Sequence, residues 1–161
     1  MPLLFALIVF AGDIIPMKVS IGDPVLDIEV TSLDSGDRIH LRDMVENSFC
    51  FFFSPGCGYC KNAYPNVATL FGKYEVFMFF VGGEAEVRQF LKAQNGETSN
   101  VYLVDARDLK TYDIVTLPGA ITYKEGKCRT AMHGPMAPRS LARLVAIYEG
   151  THKTANASQE E

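Results

Sequence analysis

Cys57-Gly58-Tyr59-Cys60 sets two thiols three positions apart. The motif follows the apolar run Phe49-Cys50-Phe51-Phe52-Phe53 and precedes a segment with helical spacing. Two thiols at the junction of a buried strand and a helix can open and close a disulfide. The same spacing suits half of a zinc site, which needs two further ligands. The chain has no second CxxC, and its three histidines, His40, His133 and His152, are scattered. Redox chemistry without a metal or a cofactor is therefore the reading of this motif. A static Cys57–Cys60 disulfide is the structural alternative, but a loop this short closes little chain.

Cys57 comes after Ser54-Pro55-Gly56 and should sit at the open end of the helix. Unpaired backbone N–H groups and the positive end of the helix dipole stabilise a thiolate there. Cys60 falls about one turn further in, on the same side and within bridging reach. The expected cycle begins when the Cys57 thiolate attacks a disulfide, forming a mixed disulfide. Cys60 then attacks the Cys57 sulfur and releases the reduced partner. Lys61 either adds positive charge beside the pair or faces solvent.

The other two cysteines read differently. Cys50 lies within the apolar strand, where a free thiol packs as a small hydrophobe. Cys128 starts the second strand of a C-terminal hairpin. One strand should separate them, so they stand about 9.5 Å apart, two strand spacings, too far to bridge.

The elements that must position the pair follow from periodicity. Ile21-Gly22-Asp23-Pro24 is a turn into the domain. Leu26, Ile28 and Val30 alternate, and so do Ile39 and Leu41 after Asp34-Ser35-Gly36-Asp37, which predicts a small hairpin. Ser48 to Phe53 is apolar on both faces, as a covered central strand should be. Ala63, Val67, Leu70 and Phe71 recur at helical spacing, with Pro65 expected to kink or restart that helix. Val76 to Val81 is a second buried strand, ended by Gly82-Gly83. Val87, Phe90 and Leu91 mark the next helix, Val101 to Val104 a third strand, and Ala106 to Tyr112 a short helix. Ala120 to Tyr123 and Cys128 to Met132 flank Lys124-Glu125-Gly126-Lys127 as a hairpin. Leu141, Leu144, Val145 and Tyr148 define the last helix, with Pro138 near its start. Strands alternating with helices, then a hairpin and a helix, predict a three-layer α/β domain around a mixed sheet.

Composition bounds the rest. A chain of 161 residues, 48% of them hydrophobic, can bury one well-formed core. The net charge is -4 and the 15 basic residues form no block, so no nucleic-acid footprint is expected. Leu3 to Ala11 is an apolar run of nine residues with no basic residue before Lys18. It reads as a clipped signal or membrane anchor, or else as an added strand or helix packed on the domain. The expected organisation is an apolar segment over 1–20, a domain over 21–150 and a polar tail over 151–161.

Phe51-Phe52-Phe53-Ser54-Pro55-Gly56-Cys57-Gly58-Tyr59-Cys60, then Pro65, then Leu117-Pro118 before the hairpin, resembles the thioredoxin superfamily. Within it the likeness is to the TlpA/ResA-type thiol–disulfide oxidoreductases and runs from about Ile21 to Glu149. Ile21 to Leu26 resembles the opening of that group's N-terminal hairpin, Phe80 to Glu84 with Val87 and Phe90 its strand, insert and helix, and Glu125 to Cys128 its closing hairpin. The resemblance implies a thioredoxin-like three-layer sandwich with a central mixed sheet and an added N-terminal hairpin. It implies Cys57 as nucleophile and Cys60 as resolving thiol. Pro118 would be a cis proline that packs beside the pair and presents backbone to a peptide; an ordinary trans proline is the plainer reading. Glu84 would be an acid that tunes the thiols, or a helix-start residue favoured by the dipole. Tyr59 and Leu117 are candidates for an apolar rim that admits a protein disulfide. Three features depart from the pattern: the absence of tryptophan, Gly58-Tyr59 between the cysteines, and Leu117 where a threonine is common.

The function so implied is reduction of disulfides in partner proteins, outside the cytoplasm, in the periplasm or at a bacterial membrane, as in cytochrome c or oxidase maturation. Partners would be a protein disulfide or dithiol substrate, an upstream exchange partner and a membrane tether, and not nucleic acid. The alternatives are a dithiol oxidase or isomerase, a non-catalytic binding module of the same fold, and a peroxiredoxin.

Overall fold

The computed structural model describes residues 17–150. The run Leu3 to Ala11 and the tail from Thr151 lie outside the described residues, so the readings placed on them lie outside too. In chain order the elements are β1 (Glu29–Ser32), β2 (Arg38–His40), α1 (Leu41–Met44), β3 (Ser48–Phe53), α2 (Gly58–Ala68) and β4 (Val76–Phe80). Then come α3 (Glu84–Ala93), β5 (Val101–Val104), α4 (Ala106–Thr111), β6 (Gly119–Lys124), β7 (Lys127–His133) and α5 (Pro138–Glu149).

The seven strands form one mixed sheet in the order β2-β1-β5-β4-β3-β6-β7. β3 and β4 are buried at every position, which explains their unbroken apolar runs. They run parallel, with Phe51 beside Met78 and Phe53 beside Phe80. β5 continues the parallel set beyond β4, and β6 runs antiparallel to β3 on the other side. Alternation of side chains along β3 then separates two cores. Phe49, Phe51 and Phe53 pack with Ala63 and Val67 of α2, Phe90 of α3 and Leu144 of α5. Cys50 and Phe52 pack on the opposite face with Leu41 of α1 and Leu109 of α4. Each fully buried phenylalanine contributes about 1.5–3 kcal/mol by leaving water. The result is the expected three-layer arrangement.

Several local expectations are corrected. The N-terminal hairpin is shorter than its alternation suggested: Leu26 and Ile28 precede β1, and Leu41 heads α1. Leu26 and Ile28 alternate because both are buried in the second core, not because they are in the ladder. The hairpin also extends the main sheet, since Val30 pairs with Val104 as well as with Ile39. The four-residue turn Lys124 to Lys127 narrows to two loop residues. Glu125 and Gly126 both have positive φ, 55° and 71°, as a type I′ hairpin needs. Pro65 does not restart the helix; α2 runs through it as one element. The short helix ends at Thr111, one residue before the expected Tyr112.

Cys50 and Cys128 are buried free thiols on β3 and β7, with β6 between them as expected. Burial pushes both thiols up, and Tyr123 beside them is pushed up for the same reason. The native state therefore keeps these protons after the unfolded chain has lost them, so stability must fall as pH rises. The loss starts near pH 9, the ordinary thiol value, and should amount to about 1.4 kcal/mol per pH unit for each thiol held neutral. Urea midpoints measured between pH 8 and 11 check this; a midpoint that holds or rises across that range contradicts it.

Candidate active site

β3 delivers the chain to the site. After Phe53 the backbone turns through Ser54-Pro55-Gly56, closed by the Cys57 N–H on the Ser54 carbonyl at 3.2 Å. Cys57 is the N-cap of α2, in extended conformation at φ -83° and ψ 117°. Its sulfur accepts the Cys60 N–H at 3.2 Å, the place a serine or aspartate oxygen takes in an ordinary cap. The Lys61 N–H donates to the Cys57 carbonyl at 3.2 Å and closes the first turn. The first turn of α2 carries no acidic side chain, so the positive end of the helix faces the sulfur unopposed.

The two thiols have unlike surroundings. Cys57 is half-buried, whereas Cys60 is fully buried below it among Phe53, Ala63 and Val67. Burial is the main reason the Cys60 thiol is pushed up to about 12, and its hydrogen bond with the Cys57 thiol adds to this. The Ser54 backbone pulls the other way. One sulfur is thus reachable and held by a backbone donor, and the other is kept as a thiol in reserve.

A second chain segment meets the pair. The Leu117–Pro118 peptide bond is cis, and the Cys57 thiol donates to the Leu117 carbonyl at 3.7 Å. The Gly134 N–H donates to the Pro118 carbonyl at 3.0 Å, and Gly119 pairs with His133, so β7 fixes this loop from behind. The structure therefore brings Cys57, Cys60, Leu117 and Pro118 together. Tyr59, two residues from Cys57, is 66% exposed, and Leu117 is partly buried. Val115, two residues before Leu117, is 48% exposed. No motif marked Val115, because an isolated valine near a turn carries no periodic signal.

Glu84 has a different place. It is the first residue of α3, and its carboxylate takes the Arg88 Nε–H at 2.9 Å. Arg88 in turn donates to the Leu33 carbonyl at 2.6 Å. The carboxylate that lines the groove beside Pro55, Gly56 and Lys61 is Glu86, which sequence reasoning passed over. Both acidic residues lie in the first turn of α3; Glu84 is spaced i,i+4 from Arg88, whereas only the tertiary structure places Glu86 at the groove. Lys61 is exposed at that groove. Among the described residues no group of three or more His, Cys, Asp or Glu side chains is placed to hold a metal ion.

Neither a protein-family profile nor a curated protein sequence matches the chain. Solved structures do match along most of its length. It is similar to a secreted disulfide oxidoreductase of Mycobacterium tuberculosis at a TM-score of 0.60 and 17% identity, over 78% of this chain and 96% of that one. It is similar to a thiol:disulfide interchange protein from Bacteroides sp. at 0.61 and 18%, over 89% and 95%. It is similar to the exposed lipoprotein thioredoxin of Streptococcus pneumoniae at 0.55 and 21%, over 74% and 97%. At these identities the likeness is one of fold, and with the seven-stranded mixed sheet it gives the chain a thioredoxin-like architecture.

Proposed function

We propose that this chain is a thiol–disulfide oxidoreductase that reduces disulfides of partner proteins through Cys57 and Cys60. The observation that carries the reading is the asymmetry of the pair: an accessible sulfur receiving a backbone N–H at 3.2 Å above a fully buried thiol. In the first step Cys57 thiolate attacks one sulfur of the partner disulfide. A Cys57–partner disulfide forms, and the other partner sulfur leaves as thiolate and takes up a proton. In the second step Cys60 gives up its proton and attacks the Cys57 sulfur. The Cys57–Cys60 disulfide forms and the second partner sulfur leaves. Two electrons pass to the partner, which ends as a dithiol, and the chain ends oxidised.

The segment Leu117-Pro118 is the edge that receives the partner backbone in this reading, and Tyr59 and Leu117 form its apolar rim. The TlpA/ResA subtype, with work outside the cytoplasm in cytochrome c or oxidase maturation and re-reduction by an upstream exchange partner, is the finer form of the proposal. Its support is the sequence resemblance together with neighbours described as secreted or as an exposed lipoprotein. No helix among the described residues is long and apolar enough to cross a membrane.

The reduction potential of the couple tests the direction. A value near -270 mV, as in thioredoxin, fits a reductant, whereas one near -120 mV, as in DsbA, would make the chain an oxidant (both are approximate reference values). For Glu84, the ion pair to Arg88 supports the helix-start role. Glu84→Gln is therefore expected to keep insulin reduction within about twofold of the parent, since an exposed pair of this kind contributes little. A tenfold loss with unchanged melting temperature would return Glu84 to the thiol chemistry.

A further inference from the structure

Pro65 lies inside α2 and has no N–H to offer. In an α-helix that donor would go to the carbonyl four residues back, which is Lys61. Lys61 directly follows Cys60, so the carbonyl left without a helical partner belongs to the turn that carries both thiols. That carbonyl is not left bare. Gln94 Nε2 donates to it at 3.3 Å from the far side of the groove.

Gln94 is well held to do this. It is the C-cap of α3, and its own N–H is tied to the Phe90 and Leu91 carbonyls, each at 3.1 Å. Phe90 anchors α3 in the first core, in contact with Tyr64 of α2 at a ring separation of 5.7 Å. The same residue Lys61 thus has its N–H on the Cys57 carbonyl and its carbonyl on the Gln94 amide. A rigid neighbouring helix takes over the hydrogen bond that proline removed.

We infer that Gln94 is a positioning residue for the thiol pair, holding the first turn of α2 so that the Cys60 N–H stays aimed at the Cys57 sulfur. The inference rests on the exchange reading of that pair. A backbone N–H on sulfur stabilises the thiolate of the reduced pair more than the uncharged disulfide. Loosening the turn therefore weakens the reduced form selectively and moves the pair towards the disulfide. The groove that Gln94 shares with Pro55, Gly56 and Glu86 lies beside the motif, so the effect needs no contact with a partner.

The test is a double-mutant cycle in the full chain, read as the equilibrium with glutathione. One dithiol and one glutathione disulfide give one Cys57–Cys60 disulfide and two glutathione thiols, so the fraction oxidised at fixed glutathione ratios gives the constant directly. Gln94→Met removes the donor without adding charge. It is expected to raise the fraction of disulfide, shifting the constant by about threefold or more, as losing one hydrogen bond does. Pro65→Ala restores the helical N–H to the Lys61 carbonyl and makes Gln94 redundant. In that background Gln94→Met should leave the constant within about twofold. A shift of the same size in both backgrounds overturns the inference, because Gln94 would then act by some route other than the Lys61 carbonyl. No shift in either background overturns it as well. A parent chain that equilibrates normally beside an unaffected Gln94→Met variant sinks the clamp alone. A parent chain that never forms the Cys57–Cys60 disulfide sinks the exchange reading and the clamp together.

Discussion

Cys57→Ser is expected to lower insulin reduction by roughly three orders of magnitude, to the rate of the assay without protein, because a hydroxyl at the same cap is un-ionised at neutral pH. The variant should still fold. Serine is a preferred N-cap residue, and its oxygen can accept the Cys60 N–H that the sulfur accepts now. Melting temperature and near-UV circular dichroism should therefore stay close to those of the parent while turnover disappears. That combination separates chemistry from structure. Residual activity above a tenth of the parent would mean that the Cys57 sulfur is not the attacking group, whereas a parent chain with no activity to lose would favour a non-catalytic module of this fold. Rapid peroxide consumption by the parent chain would point to the peroxiredoxin alternative instead.

Cys60→Ser should do something different. The first step remains possible, so a mixed disulfide between Cys57 and the partner should accumulate and be visible as a covalent adduct on a non-reducing gel. In the parent chain the same intermediate should decay faster as pH rises. Cys60 is pushed up to about 12, first by burial and then by its hydrogen bond with the Cys57 thiol. Once Cys57 is bonded to a partner its thiol proton is gone, but the burial remains. Below the value that burial sets, the thiolate fraction of Cys60 grows about tenfold per pH unit, and the rate of release should follow it. The sign is fixed: an acid pushed up is neutral at pH 7 and becomes a nucleophile only on the alkaline side. Preformed mixed disulfide, mixed into buffers from pH 6 to 9 and quenched with acid, gives the slope. A flat profile would mean that another group removes the Cys60 proton. Glu86 at the nearby groove would then be the first carboxylate to replace. Release that slows with pH would contradict the order of attack altogether.

Much of this site was legible in the sequence because it is local. Ser54-Pro55-Gly56 ends an apolar strand and opens a helix, so the position of Cys57 at the cap and of Cys60 one turn on follows from near neighbours alone. The strand Ser48–Phe53 announced its burial on both faces by lacking any alternation. The closing hairpin was legible in the stretch Lys124-Glu125-Gly126-Lys127, although the two-residue loop with positive φ at Glu125 and Gly126 came only from the structure. The separation of Cys50 from Cys128 followed once one strand was placed between theirs.

What the tertiary structure decided involves residues far apart in the chain, and there hydrophobic period carries no information. The Cys57 thiol meets a carbonyl 60 positions away at Leu117, and the Lys61 carbonyl is held by an amide 33 positions away at Gln94. Local rules predicted that Pro65 would kink or restart the helix. The helix runs through it as one element, and Gln94 donates to the Lys61 carbonyl that the proline cannot serve. Pairing of the N-terminal hairpin with β5 was likewise invisible, since a strand's pattern records which faces are buried and not which neighbour supplies the ladder. Glu84 and Glu86 both suit the start of a helix; the i,i+4 spacing by itself pairs Glu84 with Arg88, whereas only the tertiary structure puts Glu86 at the groove beside the thiols. Local backbone chemistry determined where the thiols sit, and the geometry of packed layers decided which groups surround them.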